Sequence, residues 1–485
     1  RTAFSHAVAA GHIDIVELLA EAGAYPDAGG SLGRPPILLA THNRDLALLI
    51  SLFGVGAQAG LADAVNYAMG AGYLAIAELL LTKQAELVSS GAVLQRAELL
   101  RQAVRDGDRA AAVLLIDHSA PLTLSDREGA TPLGIALRAG DRAMSELLVH
   151  AGVDLETPCH RDSTPLALAW AQRDLELAAM LLAAGAAPHP ALLVEAADAG
   201  ELGFVRLLAS HGATLGGALS DGDTLLTRAL SEGKLETARE LLSLGASPEQ
   251  FGKEGQAALV LAVGRQEPAA VRLLLEAGAD PNRQLKQPAS EAFHKLAANK
   301  TLSYYLKRDS RFTPIMVAAA AGDGDVIRAL LAAGANKGKH TKSWHRYPIS
   351  FASEAKHILA QQLLVGYDPA KRSENYKIVI SLSKQRATLY ENDVEINSSM
   401  VSTGRKGYRT PTGEYVVTHK HRHHTSTLYG ASMPYFMRLS CGAFGTHTGH
   451  CPGYPASHGC IRMPNTKAKQ FFNTCPAGTE VSIVE

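Results

Sequence analysis

The sequence predicts a multi-domain protein in which an all-α repeat solenoid over residues 1–370 precedes a mostly β domain over residues 375–485. Up to about residue 370, a short helical pattern returns at a constant interval. Near Ser373 the pattern changes to alternating β-branched runs, such as Tyr376 to Leu382, which are typical of strands. A length of 485 residues also exceeds what one hydrophobic core usually organises.

Each repeat starts with Thr-Pro-Leu or a similar triplet, continues through an alanine-rich helix and ends in Leu-Leu-x-x-Gly-Ala. Its closing glycines are 33 residues apart in three cases: Gly152 and Gly185, Gly212 and Gly245, and Gly245 and Gly278. This pattern strongly resembles ankyrin repeats. Proline suits a first helical turn and glycine a left-handed helix end, while stacking buries the apolar faces. We expect about ten or eleven units at a 33-residue period.

The repeat array contains one irregular stretch. Gly278 and Gly334 are 56 residues apart, so a basic insertion near Arg283–Asp309 interrupts the stack. It either docks on the second domain or loops out. The repeats carry no catalytic constellation in sequence, so we expect them to bind or position a protein partner, with a spacer as the alternative. Cys159 is isolated and is interpreted as an inert thiol.

Several further strands are expected in the C-terminal domain, separated by Gly, Pro and Asn-Asp signals. After the run at Tyr376 and a second one at Ala387, they are Val394–Val401, Gly413–Lys420, Met433–Leu439 and Glu480–Val484.

Reactive side chains concentrate between Phe444 and Asn465. A cysteine nucleophile needs a base to form its thiolate and main-chain donors near the carbonyl oxygen that it attacks. Cys460, His447 and the amides of Gly459 and Cys460 can supply these parts. In an extended segment, Cys460 and Arg462 share one face and Ile461 lies on the other.

The hexapeptide Ser457 to Arg462, preceded by Gly445-Thr-His-Thr-Gly449, resembles the signature of YkuD-type L,D-transpeptidases. The segments Thr410–Tyr415 and Ser432–Arg438 are also similar to that family. The resemblance covers about Tyr376 to Glu485. The expected fold class is therefore an all-α ankyrin-repeat solenoid followed by a mostly β, YkuD-like L,D-transpeptidase domain.

The resemblance implies a role for each matching residue. Cys460 is the nucleophile, and His447 is its base and later the acid for the leaving amine. Thr448 orients His447 through its backbone carbonyl, and His458 and Gly459 line the oxyanion hole. Arg462, Ser457 and Tyr435 are expected to contact or support the substrate.

The implied reaction is acyl transfer from a peptidoglycan tetrapeptide stem, with release of D-alanine, to an amine acceptor. One alternative is an L,D-carboxypeptidase or amidase that uses water as acceptor. Another is an ankyrin scaffold whose transpeptidase-like domain is inactive. No cofactor is expected. The substrate places the protein in the bacterial periplasm or cell envelope.

A zinc site is the competing interpretation of His447, His450, Cys451, His458 and Cys460. It is disfavoured because the usual C-x₂-C framework is absent, and no metal is expected. Cys451 has no assigned role, although a disulfide with Cys441 or Cys475, or a redox lock with Cys460, stays open. The cluster His419, His421, His423 and His424 is interpreted as a solvated basic face rather than a metal or phosphate site, with His424 and Ser426 as candidates for the active-site rim.

The distribution of charged residues indicates which kinds of ligand the chain can bind. The chain has 47 Lys and Arg residues against 47 Asp and Glu residues, but residues 376–485 have 12 against 6, which suits an anionic substrate. The basic cluster has few interleaved aromatics, so nucleic-acid binding is not expected. No apolar run reaches about 18 residues, which excludes a predicted membrane span. Residue 1 already lies within a repeat, so we expect any targeting signal upstream or removed.

Overall fold

The computed structural model describes residues 2–29, 33–87, 90–253, 255–286, 288–296 and 299–485. Two compact units divide the chain: residues 1–193 with 207–213, and residues 194–206 with 214–485. The predicted fold class is confirmed, because paired helical repeats are followed by a sheet-rich C-terminal domain. No helix among the described residues is both long and apolar enough to cross a bilayer.

Short helices in pairs form the first part of the repeat region. Their bounds are α1 Ala3–Ala10, α2 Ile13–Glu21, α3 Pro36–His42, α4 Leu46–Gly54, α5 Leu61–Gly70, α6 Leu74–Glu86, α7 Ser90–Asp106, α8 Arg109–Asp117, α9 Pro132–Ala139, α10 Arg142–His150, α11 Pro165–Ala171, α12 Leu175–Ala183, α13 Pro190–Ala199 and α14 Leu202–Ser210.

The second part of the repeat region continues this pattern. Its helices are α15 Leu225–Ser231, α16 Leu235–Ser243, α17 Ala258–Gly264, α18 Pro268–Glu276, α19 Glu291–Leu296, α20 Lys300–Leu306, α21 Pro314–Ala321, α22 Gly324–Ala332, α23 Pro348–Glu354 and α24 Ile358–Val365, with a 3₁₀ turn at Pro369–Lys371.

Local chemistry explains where these helices start and stop. In α9, the Thr131 side chain accepts a hydrogen bond from the Gly134 amide, and Pro132 fills the first turn, where no amide donor is needed. Asp141 caps α10 in the same way through the Met144 amide. Their apolar faces, such as Leu133 and Leu148, are buried, so each short helix is stabilised by its neighbours.

The predicted insertion near Arg283–Asp309 contains α19 and α20, and Gln287, Ala297 and Ala298 within it lie outside the described residues. Helix α20 packs on α21 and α23, and Tyr305 Oη donates to a carboxylate oxygen of Glu354 at 3.3 Å. The described part of the insertion is therefore folded against the repeats, which corrects the alternative of looping out, while docking on the second domain stays a prediction.

The C-terminal domain is built on one eight-stranded sheet in the order β3-β2-β1-β8-β4-β5-β6-β7, with one helix beside it. Its elements are β1 Tyr376–Ser381, β2 Arg386–Glu391, β3 Val394–Met400, β4 Gly413–His421, β5 Phe436–Leu439, β6 Gly445–Thr448, β7 Ile461–Met463, α25 Asn465–Thr474 and β8 Glu480–Val484.

Apart from one-residue differences at the ends of β3 and β4, the sheet differs from the sequence prediction at two places. Strand β5 begins at Phe436 rather than Met433, because Pro434 precedes Tyr435, whose φ of 57° breaks the extended backbone. Strands β6 and β7 were not among the predicted runs. They pair in parallel, and the core beneath them includes Ile461 and Phe471, which are 0% exposed.

The last repeat packs directly on the C-terminal domain within the second unit. Helix α24 contacts β4, and buried Gln362 donates from Nε2 to the Gly478 carbonyl at 3.0 Å. Ser353 Oγ donates to the Ser440 carbonyl. Tyr367 lies so close to Gly478 that a Cβ there would be 2.2 Å from the Tyr367 Cβ. The domain boundary near residues 370–375 stays a prediction. The contacts of Ser353, Gln362 and Tyr367 join residues before this boundary to residues after it.

Candidate active site

Strands β6 and β7 set the positions of the predicted reactive residues. Their parallel register pairs Thr446 with Ile461 and His447 with Arg462. Thr446 and Ile461 are 1% and 0% exposed and face the core. Side chains alternate between the faces of a sheet, so His447 and Arg462 share the opposite face, and Cys460, two residues before Arg462, lies on that face as well.

This face borders a cavity of about 300 Å³. Six of the eight predicted site residues line it, namely His447, Ser457, His458, Gly459, Cys460 and Arg462. The rest of the wall is formed by Pro411, Ser426, Leu428, Tyr429, Ala431, Met433, Ala443 and Phe444. Ser426 thus lies at the cavity, as expected of a rim residue.

His447 is held as a neutral base. Its Nδ1 lies 2.7 Å from the Thr448 carbonyl oxygen, which can only accept a hydrogen bond, so Nδ1 carries the proton and Nε2 has a free lone pair. Burial lowers the pKa of His447, and the nearby charges of Arg462 and His424 lower it further, against the opposing effect of the Thr448 carbonyl. The imidazole is therefore ready to accept a proton at neutral pH.

Cys460 rests as a thiol. Burial raises the pKa of Cys460, while a hydrogen bond from the Gly445 backbone amide to the sulfur and the charge of Arg462 oppose this rise. Gly445 also lies tightly against the neighbouring strand β5: a Cβ on this residue would lie 2.1 Å from the Met437 carbonyl oxygen, so no side chain fits there. The site therefore holds a neutral thiol and a neutral imidazole, so a thiolate at Cys460 requires loss of the thiol proton to an acceptor.

The turn before Cys460 is fixed by two hydroxyl groups. Ser457 Oγ accepts from the Gly459 amide at 3.1 Å and donates to the Cys460 carbonyl. Thr410 Oγ1 donates to the Gly459 carbonyl at 2.9 Å and accepts from the Gly404 amide at 2.9 Å. Gly459 has a φ of 110°, which residues with a Cβ rarely adopt.

This turn corrects one sequence expectation. The Gly459 amide is already used by Ser457 Oγ, so it is not free to stabilise an oxyanion. The Cys460 amide remains the candidate main-chain donor beside the Cys460 thiol. Ser457 was expected to contact the substrate. Its hydroxyl instead forms hydrogen bonds within the turn, although the residue also lines the cavity.

Residues 375–483 match the L,D-transpeptidase catalytic domain, YkuD, and residues 100–191, 192–284 and 310–342 match ankyrin repeats. The chain carries a YkuD L,D-transpeptidase catalytic domain preceded by ankyrin repeats. No curated protein matches it significantly.

Solved structures similar to this chain include an L,D-transpeptidase from Mycobacterium tuberculosis H37Rv, at 26% identity over 23% of this chain and 58% of that one, with a TM-score of 0.22. An L,D-transpeptidase from Mycobacterium smegmatis is 17% identical over 23% and 59%, also with a TM-score of 0.22. One from Stackebrandtia nassauensis is 22% identical over 28% and 66%, with the same TM-score of 0.22. The chain thus spans less than two thirds of the length of these structures.

The rim of the L,D-transpeptidase domain contains residues that the sequence did not single out. Arg405 Nη2 donates to Nε2 of His458 at 2.9 Å, so this nitrogen is an acceptor. The His458 ring also contacts the rings of Tyr408 and Tyr429, with centroids 4.7 and 5.0 Å away. Arg405 and Tyr408 come from a loop about fifty residues upstream, which an antiparallel bridge between Ser402 and Arg462 brings to the cavity.

Tyr435 lies apart from this wall. Its ring packs on Phe472, with centroids 5.6 Å apart, and against the buried core of the transpeptidase domain. The expectation that Tyr435 contacts the substrate is therefore corrected: the left-handed turn at this residue directs its ring to the core. Thr448 acts in the structure through its carbonyl on His447, and its hydroxyl donates to Asn465 Oδ1 at 3.2 Å.

The structure also bears on the disulfide and metal-site alternatives for the cysteines and histidines. All five cysteines are free thiols, and Cys451 donates its S–H to the Arg462 carbonyl at 3.2 Å. Within the described ranges, no group of three or more His, Cys, Asp or Glu side chains is arranged to hold a metal ion. His419, His421 and His424 form a stacked row that ends on Phe436, 4.5 Å from His424.

Proposed function

We propose that the C-terminal domain is a peptidoglycan L,D-transpeptidase in which Cys460 carries the acyl group. The observation that supports this most directly is that Cys460 and His447 line one cavity, with the imidazole locked in the tautomer that can accept a proton. This arrangement provides a nucleophile, its base and a nearby amide, the three parts that thioester formation requires.

In the first half-reaction, His447 Nε2 takes the proton from Cys460 Sγ as the sulfur bonds to the carbonyl carbon between the third residue and the terminal D-alanine of a tetrapeptide stem. The Cys460 amide donates to the oxyanion. The C–N bond then breaks, and the D-alanine amine leaves with the proton that His447 returns.

In the second half-reaction, the amine of an acceptor attacks the thioester while His447 takes its proton. The C–S bond breaks, the new amide forms, and the proton returns to the sulfur. Nothing in this sequence of steps requires a cofactor. Water in place of the amine would give the carboxypeptidase outcome, which we treat as the second result of the same experiment.

Anionic stem peptides suit the charge of the site. Arg462 lines the cavity, and Arg405 hydrogen-bonds His458, which also lines it, so two guanidinium groups lie in or next to the cavity wall. Each can bind a carboxylate through paired N–H groups. We propose that the protein acts on peptidoglycan in the bacterial periplasm or cell envelope, and that the ankyrin repeats bind or position a partner there.

The test uses the full chain with purified disaccharide-tetrapeptides, followed by mass spectrometry. Transpeptidation predicts loss of D-alanine together with a dimer or, when a free D-amino acid is added, an exchange product. Cys460→Ala should abolish turnover, while Cys451→Ala should retain most of it, because the Cys451 thiol bonds the Arg462 carbonyl and does not line the cavity. Loss of D-alanine with only a tripeptide product supports the hydrolase, and an unreactive wild-type chain supports the inactive scaffold.

A further inference from the structure

An aromatic and basic surface is built on the repeats of the second unit. It consists of Tyr304 and Arg308 near the end of α20 together with Lys342, Trp344 and Tyr347 on the segment before α23. The three rings are 47%, 42% and 41% exposed. Exposed Trp and Tyr beside cations are the residue types that most often dominate binding surfaces.

The charge of this region is strongly one-sided. Residues 299–312 and 336–347 together contain eight Lys or Arg residues and one acid, Asp309. The corresponding connection at residues 211–224 has two acids and no Lys or Arg. Among the described residues, salt bridges to these eight cations are confined to the pair of Arg346 with Glu354. The surface therefore keeps most of its positive charge available for a ligand.

Asp309 holds this surface in shape. Its carboxylate accepts hydrogen bonds from the amides of Ser343 at 2.8 Å and Trp344 at 3.0 Å, as well as from Ser310. Burial would raise the pKa of Asp309, but these hydrogen bonds and one from the Thr341 side chain lower it to about 2. The single acid in the region thus ties the segment before α23 to the end of α20 and orders the rings.

The rings are arranged for a ligand that combines flat apolar faces with negative charge. Tyr304 and Trp344 have centroids 5.7 Å apart, and the Arg308 guanidinium lies 4.2 Å from the Tyr304 ring centre. Sugar rings pack on aromatic faces, and carboxylates pair with exposed cations. A glycan that carries acidic side groups presents both features along one strand.

We infer that Tyr304, Arg308, Lys342, Trp344 and Tyr347 form a peptidoglycan-binding surface, with the sugars against the rings and the stem carboxylates against the cations. The identity of this ligand rests on the proposed function, because the transpeptidase domain would act on the same polymer. The surface binds the polymer, whereas Cys460 and His447 act on it, so the two activities can be lost separately.

The experiment measures co-sedimentation of the full chain with purified, insoluble peptidoglycan sacculi. A Cys460→Ala background prevents turnover during the measurement. The combination Arg308→Glu and Lys342→Glu reverses two exposed charges without touching a buried group. We expect at least about tenfold weaker binding, which is typical when a central contact of an interface is lost, and a steep decrease of wild-type binding with salt.

Trp344→Ala with Tyr347→Ala tests the rings separately, and Tyr25→Ala with Lys384→Glu is the matched control. These control residues are also exposed but lie elsewhere in the chain, and we expect unchanged binding. With the native Cys460 restored, the surface variants should keep wild-type turnover of a soluble disaccharide-tetrapeptide. If soluble turnover is absent in all proteins but sacculus binding depends on the surface, the proposed function fails and the binding site stands.

Two results would overturn the inference. One is binding to sacculi that is equal in wild type and in both surface variants. The other is tight binding of a short DNA oligonucleotide, lost in the same variants, without binding to sacculi, which would assign the surface to nucleic acid. A further measurement uses sacculi from which the stem peptides have been removed. If the wild-type chain binds this bare glycan with full affinity, Arg308 and Lys342 do not bind stem carboxylates.

Discussion

Replacement of Thr410 by valine removes the hydroxyl that holds the turn before Cys460. Thr410 is 1% exposed, and its Oγ1 joins the Gly404 amide to the Gly459 carbonyl through two hydrogen bonds of 2.9 Å. Valine keeps the shape but leaves both backbone groups unpaired in a buried place. Two lost hydrogen bonds and this desolvation cost give an expected destabilisation of about 2–4 kcal/mol.

Cys475 is a built-in reporter of this change. It is 0% exposed, and burial raises its pKa to about 12, so alkylation requires the transpeptidase domain to open. Pulsed alkylation of the full chain at several urea concentrations, read by peptide mass, gives the free energy of that opening. We expect Cys475 in the Thr410→Val variant to be labelled at least about 30-fold faster than in wild type, the equivalent of 2 kcal/mol.

Thr412→Val is the matched control, since Thr412 is exposed and its backbone carbonyl, not its hydroxyl, accepts from Tyr415. We expect a change within about 0.5 kcal/mol. A rate increase below about threefold for Thr410→Val, which is less than 1 kcal/mol, would refute the view that this hydroxyl anchors the turn.

Three further results are expected. Because burial lowers the pKa of His447 and only the neutral ring accepts a proton, kcat/KM should rise with pH through a midpoint below 6.5; a midpoint at or above 6.5 contradicts this assignment. Burial raises the pKa of the Cys460 thiol, so the rate of its alkylation should still increase above pH 9. Arg405→Ala should raise KM for the tetrapeptide by up to about fivefold with little change in kcat, and Arg405→Lys should recover part of the loss; a fall in kcat alone would assign Arg405 a different role. Gly445→Ala should destabilise the domain by about 1–3 kcal/mol in the Cys475 assay, because its Cβ would meet the Met437 carbonyl at 2.1 Å; wild-type labelling would show that the strands can separate at no cost.

Those parts of the fold that repeat or alternate in sequence were predictable. The 33-residue glycine interval indicates ankyrin units because each unit needs the same left-handed helix end. Strand β8 was predicted at its observed bounds, since Glu480–Val484 alternates and contains β-branched residues. Cys460 and His447 were predicted together from a local motif, and the structure places both at one cavity. Their catalytic roles stay predictions.

Features that depend on distant pairing were not predictable. Strand β6 is a four-residue Gly-Thr-His-Thr segment with no apolar alternation, and it is a strand because β5 and β7 pair with it on both sides. Arg405 carries no local signal for a site and reaches His458 only through the fold. The use of the Gly459 amide by Ser457 is a choice between two acceptors that a sequence pattern does not reveal.

The contact between α24 and β4 has a consequence for how a bound polymer would reach Cys460. A flexible tether would let captured ligand sample a volume set by linker length, whereas here Gln362 and Tyr367 hold the last repeat against Gly478, and α24 packs on β4. Effective concentration at the cavity then depends on geometry, and only those segments of the polymer at one set distance and direction can be presented. A longer connection between Tyr367 and Tyr376 would therefore leave the Gln362 contact intact and the last repeat held in place. Loss of the Gln362 contact would instead leave the last repeat joined to the C-terminal domain mainly through this flexible connection.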